Sequence, residues 1–469
     1  MIFGIDERPP IRPAAYGEGG EVYSYGRLCA DAARVAACTP GRPLVFSLCE
    51  NSYGALCGYA GFLSGGAVPL LLDAGMHREL LDGLLETYRP GFLWLPERMA
   101  GGFPRTKRLL SLEGYALLGR GEAPPAMHPD LALLLTTSGS TGSPKLVRQS
   151  RRNIESNARA IVRYLEIGEE ERAITTLPMN YTYGLSIVQS HLLAGASLIL
   201  TGRSVVEPEF WALFREREAT SFGGVPYTYE ILKRVGFFGM ELPSLRYFTQ
   251  AGGKLPPELH ETCARYADAH GKRFYVMYGQ TEATARMGYL PWERALEKRG
   301  CMGIAIPGGR FTLLDVDGAA IDSPGEVGEL RYEGDNVTMG YAECAADLAK
   351  GDERRGVLLT GDMAARDEEG FYTIVGRKKR FIKLFGSRVS LDGCERLVKE
   401  QFPGVDCACF GKDDALCVCL TDPALPARAA DRLAELLGVR RRAVSARYVR
   451  EIPRSGAGKI LYRELEEAP

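Results

Sequence analysis

Two stretches of this 469-residue chain concentrate groups suited to handling phosphate. The first runs from Thr136 to Lys145 and reads Thr-Thr-Ser-Gly-Ser-Thr-Gly-Ser-Pro-Lys. Thr137, Ser138, Ser140 and Thr141 offer hydroxyls. Gly139 and Gly142 let the backbone bend and bring its N–H groups close to a ligand, and Lys145 adds a compact positive charge. It is not a Walker A loop, because only two residues separate Gly139 from Gly142 and Leu146 follows the lysine. The second stretch is Tyr278-Gly279-Gln280-Thr281-Glu282. There an aromatic ring can stack on a base, a threonine hydroxyl can bond a phosphate, and a carboxylate can hold a phosphate-bound Mg²⁺. Each has a plain alternative, a hydroxyl-rich surface turn for the first and a helix-starting turn for the second.

Both stretches follow strand signals. Leu131 to Leu135 is an unbroken apolar run, as in a strand buried on both faces. Phe274–Met277 leads directly into Tyr278, and strand ends in open α/β sheets are where ligands collect. Before the first loop, strands at Arg42–Leu48 and Gly66–Leu72 alternate with an alanine-rich helix after Tyr25 and an amphipathic one over Asn51–Leu63. After it, a helix over Ile154–Leu165, capped by Ser150 or Asn153, precedes four strand–helix pairs and the strand Arg273–Met277. The alternation predicts two doubly wound α/β units. From about Gly303, short strands and turn signals at Asp315–Gly318 and Asp367–Gly370 suggest a small antiparallel barrel. Beyond Arg377 the pattern is a compact mixed α/β tail.

Hydrophobic residues make up 45% and charged residues 25%, as in a soluble globular protein. A net charge of −1 gives no electrostatic reason for nucleic acid or an anionic membrane as partner. The start, MIFGIDERPP, lacks a basic segment followed by an apolar run, and no apolar stretch reaches the ~20 residues of a membrane span. A cytoplasmic location is expected. Twelve cysteines raise the question of metal. Cys407, Cys409, Cys417 and Cys419 fit a four-thiolate zinc site less well than a hairpin with buried thiols, because zinc knuckles space their cysteines more widely.

The order Thr-Ser-Gly-Ser-Thr-Gly-x-Pro-Lys closely resembles the phosphate loop of the adenylate-forming superfamily: acyl-CoA synthetases, peptide-synthetase adenylation domains and luciferases. Tyr278–Glu282 matches that superfamily's second signature. Gly328-Glu329-Leu330 running to Gly340-Tyr341 resembles its barrel motif, and Thr360-Gly361-Asp362 its ribose-binding motif. Gly376-Arg377-Lys378-Lys379, with Phe381–Lys383 and Gly386–Arg388, resembles its domain junction. Pro453–Lys459 resembles its terminal glycine loop. The resemblance covers essentially the whole chain.

It implies an N-terminal domain, 1–378, of two doubly wound subdomains and a small barrel, followed by a mobile α+β domain, 379–469. It implies ATP and Mg²⁺ as cofactors, with Thr137–Gly142, Lys145, Gly252, Gly253, Tyr278, Gly279 and Asp362 on the nucleotide. Lys459, Glu282, Thr281 and Arg377 would be catalytic, Glu282 would hold the metal, and Lys379 would be the hinge. A carboxylic acid is activated as an acyl adenylate and passed to a thiol, on CoA or an acyl carrier protein. An amine or alcohol acceptor is the alternative, and a kinase-like NTPase or a fold-retaining binding protein are the readings from other classes. Tyr181, Tyr183, Gly184, Gly223, Gly224, Val225, Gln250 and Ala251 would line the acid pocket. Asn180–Ser186 holds no carboxylate for a substrate ammonium, so α-amino acids are disfavoured against aryl, hydroxy or aliphatic acids. Gly393 stands where many relatives have Glu, and the shorter tail tilts the acceptor toward a carrier protein.

Overall fold

The computed structural model describes residues 1–136, 145–385, 387–454 and 460–467. Its chain divides into two compact units, residues 1–310 with 332–358, and residues 311–331 with 359–469. The segment expected to form a barrel therefore groups mostly with the tail, so this division lies upstream of the boundary at 378 and 379 that the motifs suggest.

The first unit holds two sheets. In the first, four parallel strands lie in the order Leu131–Thr136, Val68–Asp73, Leu44–Cys49, Phe92–Pro96. Alternation decides which way each residue faces. Leu44, Phe46 and Leu48 enter one core, while Val45 and Cys49 enter the other. That is why these strands read as continuous apolar runs rather than alternating ones. A bulge between Leu131 and Leu133 shifts the register within the strand that leads to the phosphate loop. Strand Leu146–Ser150 returns antiparallel with Leu146 opposite Thr136, which sets Lys145 beside the end of that strand. The hairpin Lys107–Leu112/Tyr115–Gly119 and the strand Gly340–Ala342 form the antiparallel edges.

The second sheet has nine strands, and its parallel centre runs Arg273–Tyr278, Tyr247–Gln250, Ser221–Gly224, Arg172–Ile174, Ser197–Ile199, Pro13–Tyr16. The N-terminal strand thus belongs to the sheet that the alternation assigns to later residues. Helix Arg151–Leu165 starts at a capping box: Ser150 Oγ accepts from the Asn153 N–H (3.1 Å) and Asn153 Oδ1 accepts from the Ser150 N–H (2.8 Å). Both residues considered as the cap take part. Among the described residues no helix is long and apolar enough to cross a membrane.

In the second unit, strands Ala320–Ile321, Arg310–Leu314, Val327–Glu333, Val357–Arg366 and Tyr372–Arg377 form a five-stranded sheet in that order. The tail packs helices Leu391–Gln401 and Pro426–Leu437 with strands Cys407–Lys412, Ala415–Leu420 and Val444–Tyr448. In this hairpin Cys407 pairs with Leu420 and Cys409 with Val418, whereas Cys417 pairs with Phe410 and Cys419 with Ala408. The two cysteine pairs therefore face opposite sides of the sheet. Cys407 and Cys409 join one core and Cys419 the other, so the four thiols cannot converge on one ion. Among the described residues no cluster of metal-ligating side chains stands out.

Candidate active site

Strand Arg273–Tyr278 pairs in parallel with Tyr247–Gln250, so Tyr278 leaves the sheet at its carboxyl end. Gly279 is dictated by sterics, since a Cβ there would strike the Ala285 carbonyl. Thr281–Ala283 makes one 3₁₀ turn. The backbone carbonyl of Glu282 is fixed by three donors: the Thr338 N–H (3.0 Å), the Thr338 hydroxyl (2.9 Å) and Arg354 Nη1 (3.0 Å). Its carboxylate Oε1 accepts from the Tyr341 hydroxyl at 2.7 Å. Burial and the Glu282 charge push the Tyr341 phenol up to about 12, against the opposing pull of Arg354. At neutral pH the phenol is therefore a proton donor that aims the carboxylate.

Two cations flank the same ring, with Lys145 Nζ 5.5 Å and the Arg354 guanidinium 4.6 Å from its centroid. Lys145 also meets Glu343 at 2.7 Å. Beside Tyr341, Glu343, Lys350, Glu353 and Arg354 enclose a cavity of ≈ 500 Å³. One aimed carboxylate with two cations beside its partner ring suits Mg²⁺, which takes few protein ligands and keeps its phosphates and waters. The donor set fits a polyphosphate with its metal.

Several residues expected to line the acid pocket lie at the carboxyl ends of two neighbouring strands, with Gly223 opposite Thr249 and Gly224 opposite Gln250. The Ala251 N–H donates to the Gly224 carbonyl (3.2 Å), and Val225 caps helix Pro226–Arg234. Tyr181 precedes helix Thr182–Ala194, and its ring lies 6.3 Å from that of Tyr183. The Tyr183 hydroxyl donates to the Thr249 carbonyl at 2.8 Å. Gly252 takes φ +85°, and a Cβ there would stand 2.7 Å from the Tyr181 hydroxyl. Gln250 Nε2 donates to the Gly253 carbonyl, while its buried Oε1 has no hydrogen-bond partner among the described residues. That buried acceptor awaits a donor such as an amino group of a ligand. Gly184 instead packs under the segment, against the carbonyls of Leu177 and Pro178.

In the second unit, Asp362 and Arg377 face each other across antiparallel strands, joined by an ion pair of 2.7 Å. Asp362 is nearly buried and Arg377 largely open. Lys379 sits exposed in the turn Lys378–Arg380. Thr137, Ser138, Gly139, Ser140, Thr141, Gly142 and Lys459 lie outside the described residues.

The model of the AMP-binding enzyme family matches residues 5–342. The chain belongs to that family. Feruloyl-CoA synthase of an Amycolatopsis species is 29% identical over 426 residues, covering 85% of this chain and 82% of that protein. A linear gramicidin synthase of Brevibacillus parabrevis is 26% identical over 368 residues, 75% of this chain but 5% of that protein. The fold is shared with O-succinylbenzoate coenzyme A synthetase of Bacillus subtilis in complex with AMP: TM-score 0.80 at 21% identity, covering 100% of this chain and 98% of that one. The Bacillus enzyme has also been solved with ATP and magnesium ion. As an AMP-binding enzyme this chain is an AMP-forming acid–thiol ligase.

Within this AMP-binding enzyme, sequence reasoning missed Arg354, Thr338 and the role of Tyr341 beside Glu282. Tyr341 lies in a quoted motif, and its aromatic ring after Gly340 was a usable signal. Arg354 stands in the charged loop Gly351–Gly356 among residues of the same type, so nothing local singles it out. Arg286, four residues beyond Glu282, was missed as well. Its signal was one charge inside the otherwise uncharged run Ala283–Leu290.

Proposed function

We propose that the protein activates a carboxylic acid with ATP as an acyl adenylate and transfers the acyl group to the thiol of CoA. The observation that supports this best is the Glu282–Tyr341–Lys145–Arg354 group, a carboxylate and two cations gathered around one aromatic ring. An oxygen of the acid attacks the α-phosphorus of ATP, forming the P–O bond as the bond to pyrophosphate breaks. Both reactants are anionic, so catalysis consists largely of neutralising charge and holding the partners in line. Lys145 and Arg354 draw the pyrophosphate charge, and Tyr341 keeps the Glu282 carboxylate turned toward the metal position. Glu282 would hold Mg²⁺ there, and the metal would supply neutralisation of phosphate oxygens. Asp362 accepts from the ribose hydroxyls, with Arg377 beside it, and Gly252 and Gly253 give the nucleotide close access to backbone. Thr281 bonds phosphate, Tyr278 stacks on the base, and Lys459 bridges the acid and the α-phosphate.

In the second step the thiol sulfur attacks the acyl carbon, AMP departs, and the thiol proton passes to solvent. CoA is preferred to a carrier protein because the feruloyl-CoA synthase, which matches 85% of this chain and is covered over 82% of its own length, is named for that acceptor. Acid-dependent exchange of labelled pyrophosphate into ATP tests the first step, and CoA-dependent thioester formation tests the second. Exchange without thioester, restored by an added amine, would favour an amide-forming ligase instead.

A further inference from the structure

The first unit contains two of the chain's largest fully buried side chains that are cationic, Arg148 and Arg286, and they are treated very differently. Arg148 meets the Glu353 carboxylate at 2.6 Å and the carbonyls of Tyr341, Met339, Gly351 and Lys350. Its charge is fully answered. Arg286 is 2% exposed, yet no carboxylate approaches it among the described residues. Its Nε and Nη2 both reach the Ser186 hydroxyl (3.2 and 3.0 Å), and Nη1 reaches the Met277 sulfur at 3.0 Å. Its guanidinium lies 3.9 Å from the centroid of the Tyr183 ring. A hydroxyl, a thioether and a π face are neutral partners, and the thioether is a weak acceptor. Three of its five N–H donors are used in these bonds and the Tyr183 hydroxyl is a further neutral acceptor within reach, which leaves donor capacity for an oxygen of a carboxylate.

The position of this charge matters as much as its lack of a partner. Tyr183 and Met277, which touch Arg286, belong to the same packed cluster as Val225 and Ala251, with Tyr181 against it. Tyr181, Tyr183, Val225 and Ala251 are among the residues expected to line the acid pocket. A buried cation without an anion is unfavourable unless something brings the opposite charge. Metal or a second cation is excluded by sign, and a neutral acyl tail would leave the guanidinium unanswered.

We infer that Arg286 is a specificity-determining residue that receives a second anionic group of the acid substrate, so that the preferred acids are dicarboxylates or their sulfonate analogues. The inference rests on the ligase reading above and narrows its substrate class. It also narrows the aryl, hydroxy or aliphatic acids expected above: the lack of a carboxylate in Asn180–Ser186 disfavours α-amino acids, and Arg286 adds a positive charge beside the expected pocket residues.

The test is pyrophosphate exchange with matched acids, butanoate against succinate and benzoate against its three carboxybenzoates, on the wild type, Arg286→Met and Arg286→Lys. The expected wild-type result is a kcat/KM for at least one dianionic acid about tenfold or more above its monoanionic partner. In Arg286→Met that ratio falls by about tenfold or more, chiefly through KM for the acid with KM for ATP retained, and Arg286→Lys restores part of it. The wild-type panel decides the matter even if Arg286→Met fails to fold. Exchange confined to monoanionic acids overturns this inference and leaves the ligase reading intact, as does stimulation of monoanionic acids by added chloride without a dianion preference. Absence of exchange with every acid overturns the ligase reading and this inference with it.

Discussion

Tyr341 and Glu282 are separated by 59 positions, and their 2.7 Å hydrogen bond links the signature strand end to the cavity that Tyr341 lines. Because the raised phenol keeps its proton near neutral pH, the bond works in one direction, from hydroxyl to carboxylate. Glu282→Gln keeps an acceptor for Tyr341 but removes the charge that a divalent cation needs. It should lower pyrophosphate exchange on the order of 100-fold with an unchanged circular dichroism spectrum. Near-normal exchange in that variant would remove Glu282 from the metal site. Tyr341→Phe loses only the aim of the carboxylate. A charge-assisted bond of ~1.5–2 kcal/mol corresponds to about a tenfold drop, which extra Mg²⁺ should partly recover. If added Mg²⁺ makes no difference, the bond serves packing rather than the metal.

At the scale of elements, the patterning that was legible is the kind that burial enforces. Leu131–Leu135 reads as a doubly buried strand because both of its faces meet a core, and the strand–helix alternation after Ser150 follows from the same geometry. What stayed hidden depends on pairing at a distance. Pro13–Tyr16 joins Ser197–Ile199 in the second sheet, and Arg354 comes to Glu282 only when the first unit closes. Local periodicity holds no trace of either. Arg286 was visible as a lone charge, but its lack of an anion is a property of the folded neighbourhood alone. The cysteine hairpin shows the opposite case, where a period of two on each strand was legible and the cross-strand register settled the outcome. Titration of the native protein with Zn²⁺ should therefore reveal no four-thiolate site, and chelators should leave its stability unchanged. Cys407→Ser places a hydroxyl in an apolar core and should cost about 1–3 kcal/mol in urea unfolding. Stoichiometric zinc binding lost in that variant would reverse the assignment. Ser150→Ala breaks the capping box and should cost about 1 kcal/mol by the same measurement. A cost indistinguishable from zero would mean that packing alone fixes the start of that helix.

For the whole molecule, the question is how one chain serves two half-reactions. The residues around Lys379 suggest where it could turn. Lys378 Nζ is tied to Glu329 at 2.6 Å, on the five-stranded sheet. Arg380 is tied to the tail: to Asp392 and Glu395 at 2.6 Å, to the Cys409 carbonyl at 2.7 Å, and over the Tyr462 ring at 3.7 Å. Lys379 stands between these anchors, exposed and with no side-chain partner among the described residues. A change in its backbone torsions would turn the tail with both side-chain anchors intact, at the cost of the bond from the Arg377 N–H to Asp392 (3.2 Å), and hinges are short segments of this kind. We propose that Lys459, which follows the hinge in sequence, serves adenylation in one state of that hinge and that the thiol is admitted in the other. Lys379→Pro fixes φ near −65° and should hold pyrophosphate exchange within about threefold while thioester formation falls about tenfold or more. Lys379→Ala, which leaves the torsions free, should keep both. Lys459→Ala should lose exchange yet convert a supplied acyl adenylate to thioester at close to the normal rate, because its charge acts only in the first step. Equal loss of both half-reactions in each folded variant would show that a single arrangement of the tail serves the whole reaction.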